Sequence, residues 1–263
     1  MLRTNFITRP LVLLVTIFLF VFTSCKKDPE PAPSFTGKIA EYKTADESIR
    51  FEYNANGDVQ KVFLNYDVIT SSDNVTYTVK YHADKKIDEL VSSNGVVVKV
   101  SYSNGKLSKT EVFEGADKIA ITEFTYNGTV LQSGSISYVY GIEVFPFVKF
   151  DYAFTPAGNV SRTDVSMYNP LTTDLEYAGQ IIKQYDTKIN PFKGISDLML
   201  TLWQLPTTNN VIKEEHFDEN GMPNETIETT YVYNEQGYPV KATIRETQPG
   251  QQTVVATATY SYK

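Results

Sequence analysis

The sequence predicts a mainly β fold: successive antiparallel hairpins forming one long twisted or curled sheet, open to closure as a barrel, with one short helix near residues 195–205. Three observations carry this expectation. Aromatic residues alternate with other residues through most of the chain, as in Phe51-Glu52-Tyr53 and Tyr231-Val232-Tyr233, and a period of two sends alternate side chains to opposite faces of a strand. Polar turns, usually with glycine, recur at spacings mostly in the twenties of residues, which is the chain needed for two strands and two turns. One stretch alone, Ile195 to Leu205, sets apolar residues at helical intervals.

The first element precedes the folded body. Residues 1–10 carry Arg3 and Arg9 and no acid, Leu11 to Phe22 is apolar except for Thr16, and Phe22-Thr23-Ser24 leads into Cys25, the only cysteine. A basic start, an apolar middle and small residues before a cut site are the parts of a secretory signal. With cysteine directly after that site, residues 1–24 resemble a bacterial lipoprotein signal, which implies that Cys25 receives lipid and becomes the mature N-terminus. Phe22 departs from the leucine usual three residues before the cysteine. An ordinary cleaved signal and an uncleaved anchor are the alternatives. Twelve apolar helical residues rise about 18 Å, short of a hydrocarbon core of about 30 Å. Lys26-Lys27-Asp28 resembles the charged export tag of surface-exposed Bacteroidetes lipoproteins, or serves as plain charged tether. Residues 25–37, lipidated cysteine and proline-rich spacer, read as a flexible linker to one domain over residues 38–263.

Charge narrows the partners. Without Arg3 and Arg9 the 24 basic residues fall to 22 against 31 acidic ones, a formal balance of −9. That argues against nucleic acid, which requires a basic patch, and against electrostatic docking onto anionic membranes, leaving a lipid anchor as the membrane contact. Acylation of Cys25 leaves the body without a thiol, which excludes disulfides and thiolate chemistry there. About 230 residues suffice for a core without such staples.

The hairpins follow in order. Phe51 and Tyr53 precede Gly57 and Val59; Tyr81 precedes Ile87; Tyr102 precedes Gly105 and Leu107; Phe124 and Tyr126 precede Gly128 and Val130. Tyr152 and Phe154 precede Gly158 and Val160, His216-Phe217 precedes Gly221, and Tyr231 and Tyr233 precede Gly237 and Val240. Glycine after Asn or Asp supplies the positive φ of hairpin turns, and the abundant tyrosine and threonine suit a pleated, half-buried surface. Between the later copies, Pro191 and Pro206 bound a helix of about ten residues with Ser196 as N-cap and Ile195, Leu198, Met199, Leu202 and Leu205 on one face. Such a helix must be covered by the sheet.

This pattern resembles the YD repeat of RHS-type proteins and, more closely, a group of uncharacterised Bacteroidetes lipoproteins built from such hairpins. Tyr185-Asp186, Lys188-Ile189-Asn190-Pro191-Phe192, Asn209-Asn210-Val211 and the closing Tyr260, Tyr262 and Lys263 carry the second likeness. The resemblance implies a mainly β fold and a lipid anchor, and supplies no activity or site residues.

Chemical motifs are sparse. His82 sits at a turn; on a strand His216 shares a face with Asp218 and leaves Glu215 on the other, one pair where a metal needs three or four ligands. Asp218-Glu219-Asn220-Gly221 places glycine too early for a calcium loop. Gly134-Ser135-Ile136-Ser137 reads as a strand edge, and adjacent acids such as Asp46/Glu47 or Glu214/Glu215 point to opposite faces, unlike the facing carboxylates of a glycosidase. No metal and no cofactor is expected. Aromatic density peaks between residues 138 and 154, so Tyr138, Tyr140, Phe145, Phe147, Tyr152 and Phe154 are candidates for stacking on a glycan or anchoring a protein. The expected function is a lipid-anchored cell-envelope protein at the outer membrane, a non-catalytic binding or structural component. The alternative is an accessory hydrolase acting on polysaccharide. A subunit of a larger assembly would instead show a long unpaired sheet edge.

Overall fold

The computed structural model describes residues 35–66, 74–205 and 207–263. The signal, Cys25, the tether as far as residue 34 and Pro206 lie outside the described residues. Sixteen strands account for most of the described chain: β1 (Ile39–Lys43), β2 (Glu47–Tyr53), β3 (Val59–Tyr66), β4 (Val75–Tyr81), β5 (Ile87–Ser92), β6 (Val96–Ser103), β7 (Lys106–Glu114) and β8 (Asp117–Asn127). The second half holds β9 (Val130–Tyr140), β10 (Glu143–Phe154), β11 (Val160–Asn169), β12 (Asp174–Ile189), β13 (Asn209–Asp218), β14 (Pro223–Tyr233), β15 (Pro239–Thr247) and β16 (Val254–Tyr262). Each pairs antiparallel with the next, and β1 pairs with β16 through Tyr42↔Tyr260 and Lys43↔Thr259. The curled sheet is a closed barrel. Backbone bonds Thr36 N–Lys263 O (2.9 Å) and Lys263 N–Lys38 O (3.0 Å) extend the seam.

Closure removes the edges that a twisted sheet would otherwise leave unpaired. The unpaired edge that a subunit of a larger assembly would offer is not present among the described strands. Gly134 to Ser137 also lies mid-strand, paired on both sides, because Phe124↔Gly134 and Phe150↔Gly134 flank it. Phe35, within the stretch read as tether, packs its ring 5.3 Å from Tyr238 and 5.7 Å from Tyr262.

Both described termini, and the turns after the even-numbered strands, lie at one end of the barrel, the tether end. Here Asn54, Thr155 and Asn234 open five-residue turns closed by Asn54 N–Asp58 O (2.9 Å), Thr155 N–Asn159 O (2.7 Å) and Asn234 N–Tyr238 O (2.9 Å). The fourth residue of each needs positive φ, and Gly57, Gly158 and Gly237 supply +81°, +81° and +82°.

The repeated tyrosine has a mechanical role. Tyr53, Tyr81, Tyr126, Tyr185, Tyr231 and Tyr262 each donate a hydroxyl to a backbone carbonyl early in the preceding strand: Ile39, Val59, Leu107, Val160, Val211 and Pro239, at 2.6–3.0 Å. Tyr102 instead accepts from the Ile87 amide at 3.2 Å. Phe154 holds the matching place in β10 and has no hydroxyl to give. Burial pushes the Tyr53, Tyr81 and Tyr126 hydroxyls up to about 12, so these clasps keep their protons at any ordinary pH. Tyr81→Phe should cost about 1 kcal/mol, read as a midpoint about 2–4 °C lower in thermal unfolding; an unchanged midpoint would show that the clasp carries no stability.

Alternation fixes which face is wet. Ile49 and Phe51 turn inward and are buried, whereas Arg50 and Glu52 pair outside at 2.7 Å. Further outer pairs are Lys80–Glu89, Lys149–Asp151 (2.9 Å), Arg162–Asp164 and Lys213–Glu215 (2.8 Å). A barrel embedded in lipid carries an apolar outer band, and each midplane Lys or Arg would cost about 2–4 kcal/mol. This outer wall suits water. No helix among the described residues is long and apolar enough to cross a membrane.

The core lies inside, between the walls of β1–β8 and a plug. Residues 190–208, linking β12 to β13, form a 3-10 turn (Lys193–Ile195) and helix α1 (Ser196–Thr201). Leu198, Met199 and Leu200 join Phe51, Val62, Leu90 and Leu107 in one apolar cluster. The helix is shorter than the sequence implies. Ser196 is its first residue, not its cap, because its hydroxyl donates to the Lys193 carbonyl at 2.6 Å. The chain then reverses at Trp203, whose φ is +62°, with Gln204 N closing on Met199 O at 2.8 Å.

Candidate functional site

The end opposite the tether end, the distal end, carries the least ordinary surface. Beyond Ala120↔Tyr138, β9 pairs only with β10, and β10 meets β11 only from Val148↔Met167 onward. The distal residues of the β9–β10 hairpin therefore pair with each other and with neither β8 nor β11. It exposes Tyr138, Tyr140 (82 %), Ile142 (99 %), Val144, Phe145 and Phe147. Tyr138 and Phe147 hold their rings 4.9 Å apart, and Tyr138↔Phe145 are cross-strand partners. Alternation continues the inward series Gly134, Ile136, Tyr138 and Tyr140 beyond the rim.

The structure thus brings together four of the aromatic candidates, Tyr138, Tyr140, Phe145 and Phe147. It separates Tyr152 and Phe154 from them. Seven strand steps from Phe145 to Tyr152 span about 23 Å, which places Tyr152 inside the barrel, stacked beside Phe150 at 6.5 Å. Its hydroxyl is pushed up to about 12 by burial and by the Asp151 carboxylate. The six candidates thus divide between a distal hairpin and an inner-wall pair.

A second feature lies on the inner wall of β12–β15, which contributes nothing to the apolar cluster. Register Lys183↔Glu214, His216↔Glu225 and Ile227↔Glu246 sets four charged strands side by side. Glu214 joins Lys183 Nζ and His216 Nε2, each at 2.7 Å, and His216 Nε2 lies 3.7 Å from Glu225. Gln248 Nε2 donates to Glu225 (3.0 Å) and Glu246 (3.3 Å). The partner assigned to His216 by alternation, Asp218, is corrected: a register shift after His216 leaves Asp218 to cap its own turn through Asn220 N (2.9 Å) and Met222 N (2.8 Å). The sequence signal for this row was Glu214-x-His216 in one phase, with Glu225 and Glu246 in the phase of Tyr231 and Ala242. His82 stays at its turn, 3.4 Å from Asp88.

Burial would raise Glu214, but the His216 hydrogen bond and the Lys183 ammonium outweigh it and bring it down to about 2. His216 is raised, first by its hydrogen bond to Glu214 and further by Glu214 and Glu225, against burial and Lys183. Glu246 is raised by its hydrogen bond with Glu225. The signs set a window. Stability from charged His216 is complete below its ordinary 6.5 and is lost as pH climbs through its raised pKa. Stability from ionised Glu214 is complete above its ordinary 4.5 and is lost as pH falls toward 2. Thermal unfolding of the unaltered protein should therefore weaken above neutrality, and His216→Gln should flatten that slope. Matching profiles for the two would contradict the assignment. Among the described residues no group of three or more His, Cys, Asp or Glu is arranged to hold a metal ion.

No family model matches the chain, and no curated protein matches its sequence. A porin-like protein from Bacteroides uniformis ATCC 8492 is similar over 89 % of this chain and 99 % of its own, with a TM-score of 0.60 at 13 % identity. One from Bacteroides vulgatus ATCC 8482 covers 86 % of this chain and 99 % of its own, at 0.56 and 12 %. The likeness fixes the fold. A TcdB2-TccC3 chain aligns 80 % of this chain with 12 % of its own at 14 % identity, but a TM-score of 0.29 establishes no common fold, so the likeness to RHS-type repeats stays at the level of sequence.

Proposed function

We propose that this chain is a non-catalytic binding protein of the cell envelope, lipid-anchored at the outer membrane through Cys25, whose distal hairpin engages a glycan. The single observation behind the reading is the aromatic surface of Tyr138, Tyr140, Phe145 and Phe147 on a hairpin whose distal residues pair only with each other, at the end opposite Phe35. Rings fixed on paired strands present faces on which sugar rings stack with little loss of side-chain freedom. The charged outer wall supports attachment by a lipid in place of insertion. The carboxylates favour binding over hydrolysis: Glu225 and Glu246 are gathered on one Gln248 amide, whereas a glycosidase separates its acids by about 5–10 Å.

Titrating the protein with envelope polysaccharides, read by tyrosine fluorescence, tests the proposal. Binding should occur and fall at least tenfold in Tyr140→Ala/Phe145→Ala. Absence of binding, binding that the double variant retains, or binding to envelope proteins alone would overturn the glycan reading.

A further inference from the structure

The barrel holds a second feature, independent of the hairpin and of the glycan reading. Between the C-terminal end of α1 and the inner wall of β2–β7 lies a hollow of about 280 Å³. Ile49, Leu64, Val75, Val98 and Val112 line it together with Trp203, and among the described residues its polar side chains are those of Tyr77, Thr201 and Gln204. Leu64, Val75 and Val112 face inward yet are only half-buried, so apolar wall that the plug does not reach meets the lumen. Trp203, the only tryptophan, is 53 % exposed here and is held at φ +62°. A bulky residue at positive φ is strained and persists only where its surroundings hold it. The reversal turns the indole onto the hollow instead of into the packed cluster below.

We propose that this hollow receives the hydrocarbon tail of an amphiphile, entering from the distal end with its polar head left in the lumen. Volume sets the size. A 150 Å³ apolar cavity accommodates benzene, so about 280 Å³ takes a chain of roughly ten carbons. Chemistry sets the class, because among the described residues no charged side chain lines the hollow and an ionised group there would lose its hydration without a partner.

Trp203 supplies the readout. The full chain carrying Cys25→Ala, and hence no acyl group of its own, is titrated with hexanoate, octanoate, decanoate and dodecanoate, and with 1-octanol to remove the head-group charge. Tryptophan emission should shift to the blue, and affinity should rise about fourfold per methylene, the equivalent of about 0.8 kcal/mol, levelling off near ten carbons. Octanol should follow octanoate if the tail alone is recognised. Val112→Thr, nearly the same size, should weaken decanoate about tenfold while the far-ultraviolet spectrum and melting curve stay native; Tyr140→Ala/Phe145→Ala should leave it unchanged. No emission change, affinity independent of chain length, or a native Val112→Thr that binds as before would overturn the proposal. Loss of decanoate binding in the hairpin variant would merge the two sites and overturn it as an independent one.

Discussion

Leu198→Asp should abolish cooperative folding. Leu198 is 2 % exposed at the centre of the plug, among Phe51, Leu90 and Leu107 from three different strands. Truncating a buried leucine costs about 2–5 kcal/mol, and the aspartate adds an unpaired buried carboxylate worth several more. Together these consume most of a stability of about 5–15 kcal/mol. A barrel with charge outside and valine, isoleucine and leucine inside has no other way to cover that wall. The variant should elute expanded in size exclusion and lose its near-ultraviolet signal, while Leu171→Asp, at a distal turn 92 % exposed, should melt within about 0.5 kcal/mol of the parent. A native melt for Leu198→Asp would show that the plug is dispensable.

Gly179→Ala should have the next largest effect. Gly179 sits mid-strand in β12 at φ +143°, beside the register shift between Val165 and Ser166, and opposite Asp218. A methyl group there would run into the Phe217 carbonyl. That obstacle is backbone, not the tip of a side chain, so β12 and β13 must separate or the residue must leave its φ. Either costs on the order of 3 kcal/mol, a midpoint lower by roughly 6–12 °C at about 2–4 °C per kcal/mol. The shift should also disturb Lys183–Glu214, four residues away on each strand of the same pair, and so flatten the pH profile of melting. Gly95→Ala, in open space at a turn, isolates the cost of positive φ alone and should lose about 1 kcal/mol.

Much of this architecture was legible because it is local. The two-residue period of Phe51 and Tyr53, the positive φ at Gly57, Gly158 and Gly237, and the helical spacing of Leu198, Met199 and Leu202 concern neighbours in sequence. Closure was not, because the seam joins Thr36 to Lys263 and no local preference records so distant a pairing. The luminal row was hidden for another reason. Lys183, Glu214, Glu225 and Glu246 come from four strands, and a single bulge, as between Gln184 and Tyr185, inverts which face a residue occupies. The partner of His216 was missed for a local reason, because Asp218 ends its strand and caps its own turn. The aromatic density at residues 138–154 was visible, but the distance along β10 that divides Phe145 from Tyr152 follows only from where the strands stop pairing. Trp203 at positive φ had no local signal, since tryptophan is among the residues least expected there.

The proposed attachment is by lipid alone, with the wet wall of the barrel turned outward. Cells that express Cys25→Ala are fractionated without detergent. The substituted protein should leave the membrane pellet and stay folded and monodisperse in aqueous buffer, while the unsubstituted chain should require detergent. Retention of Cys25→Ala in the membrane pellet after high-salt and carbonate washing would contradict it.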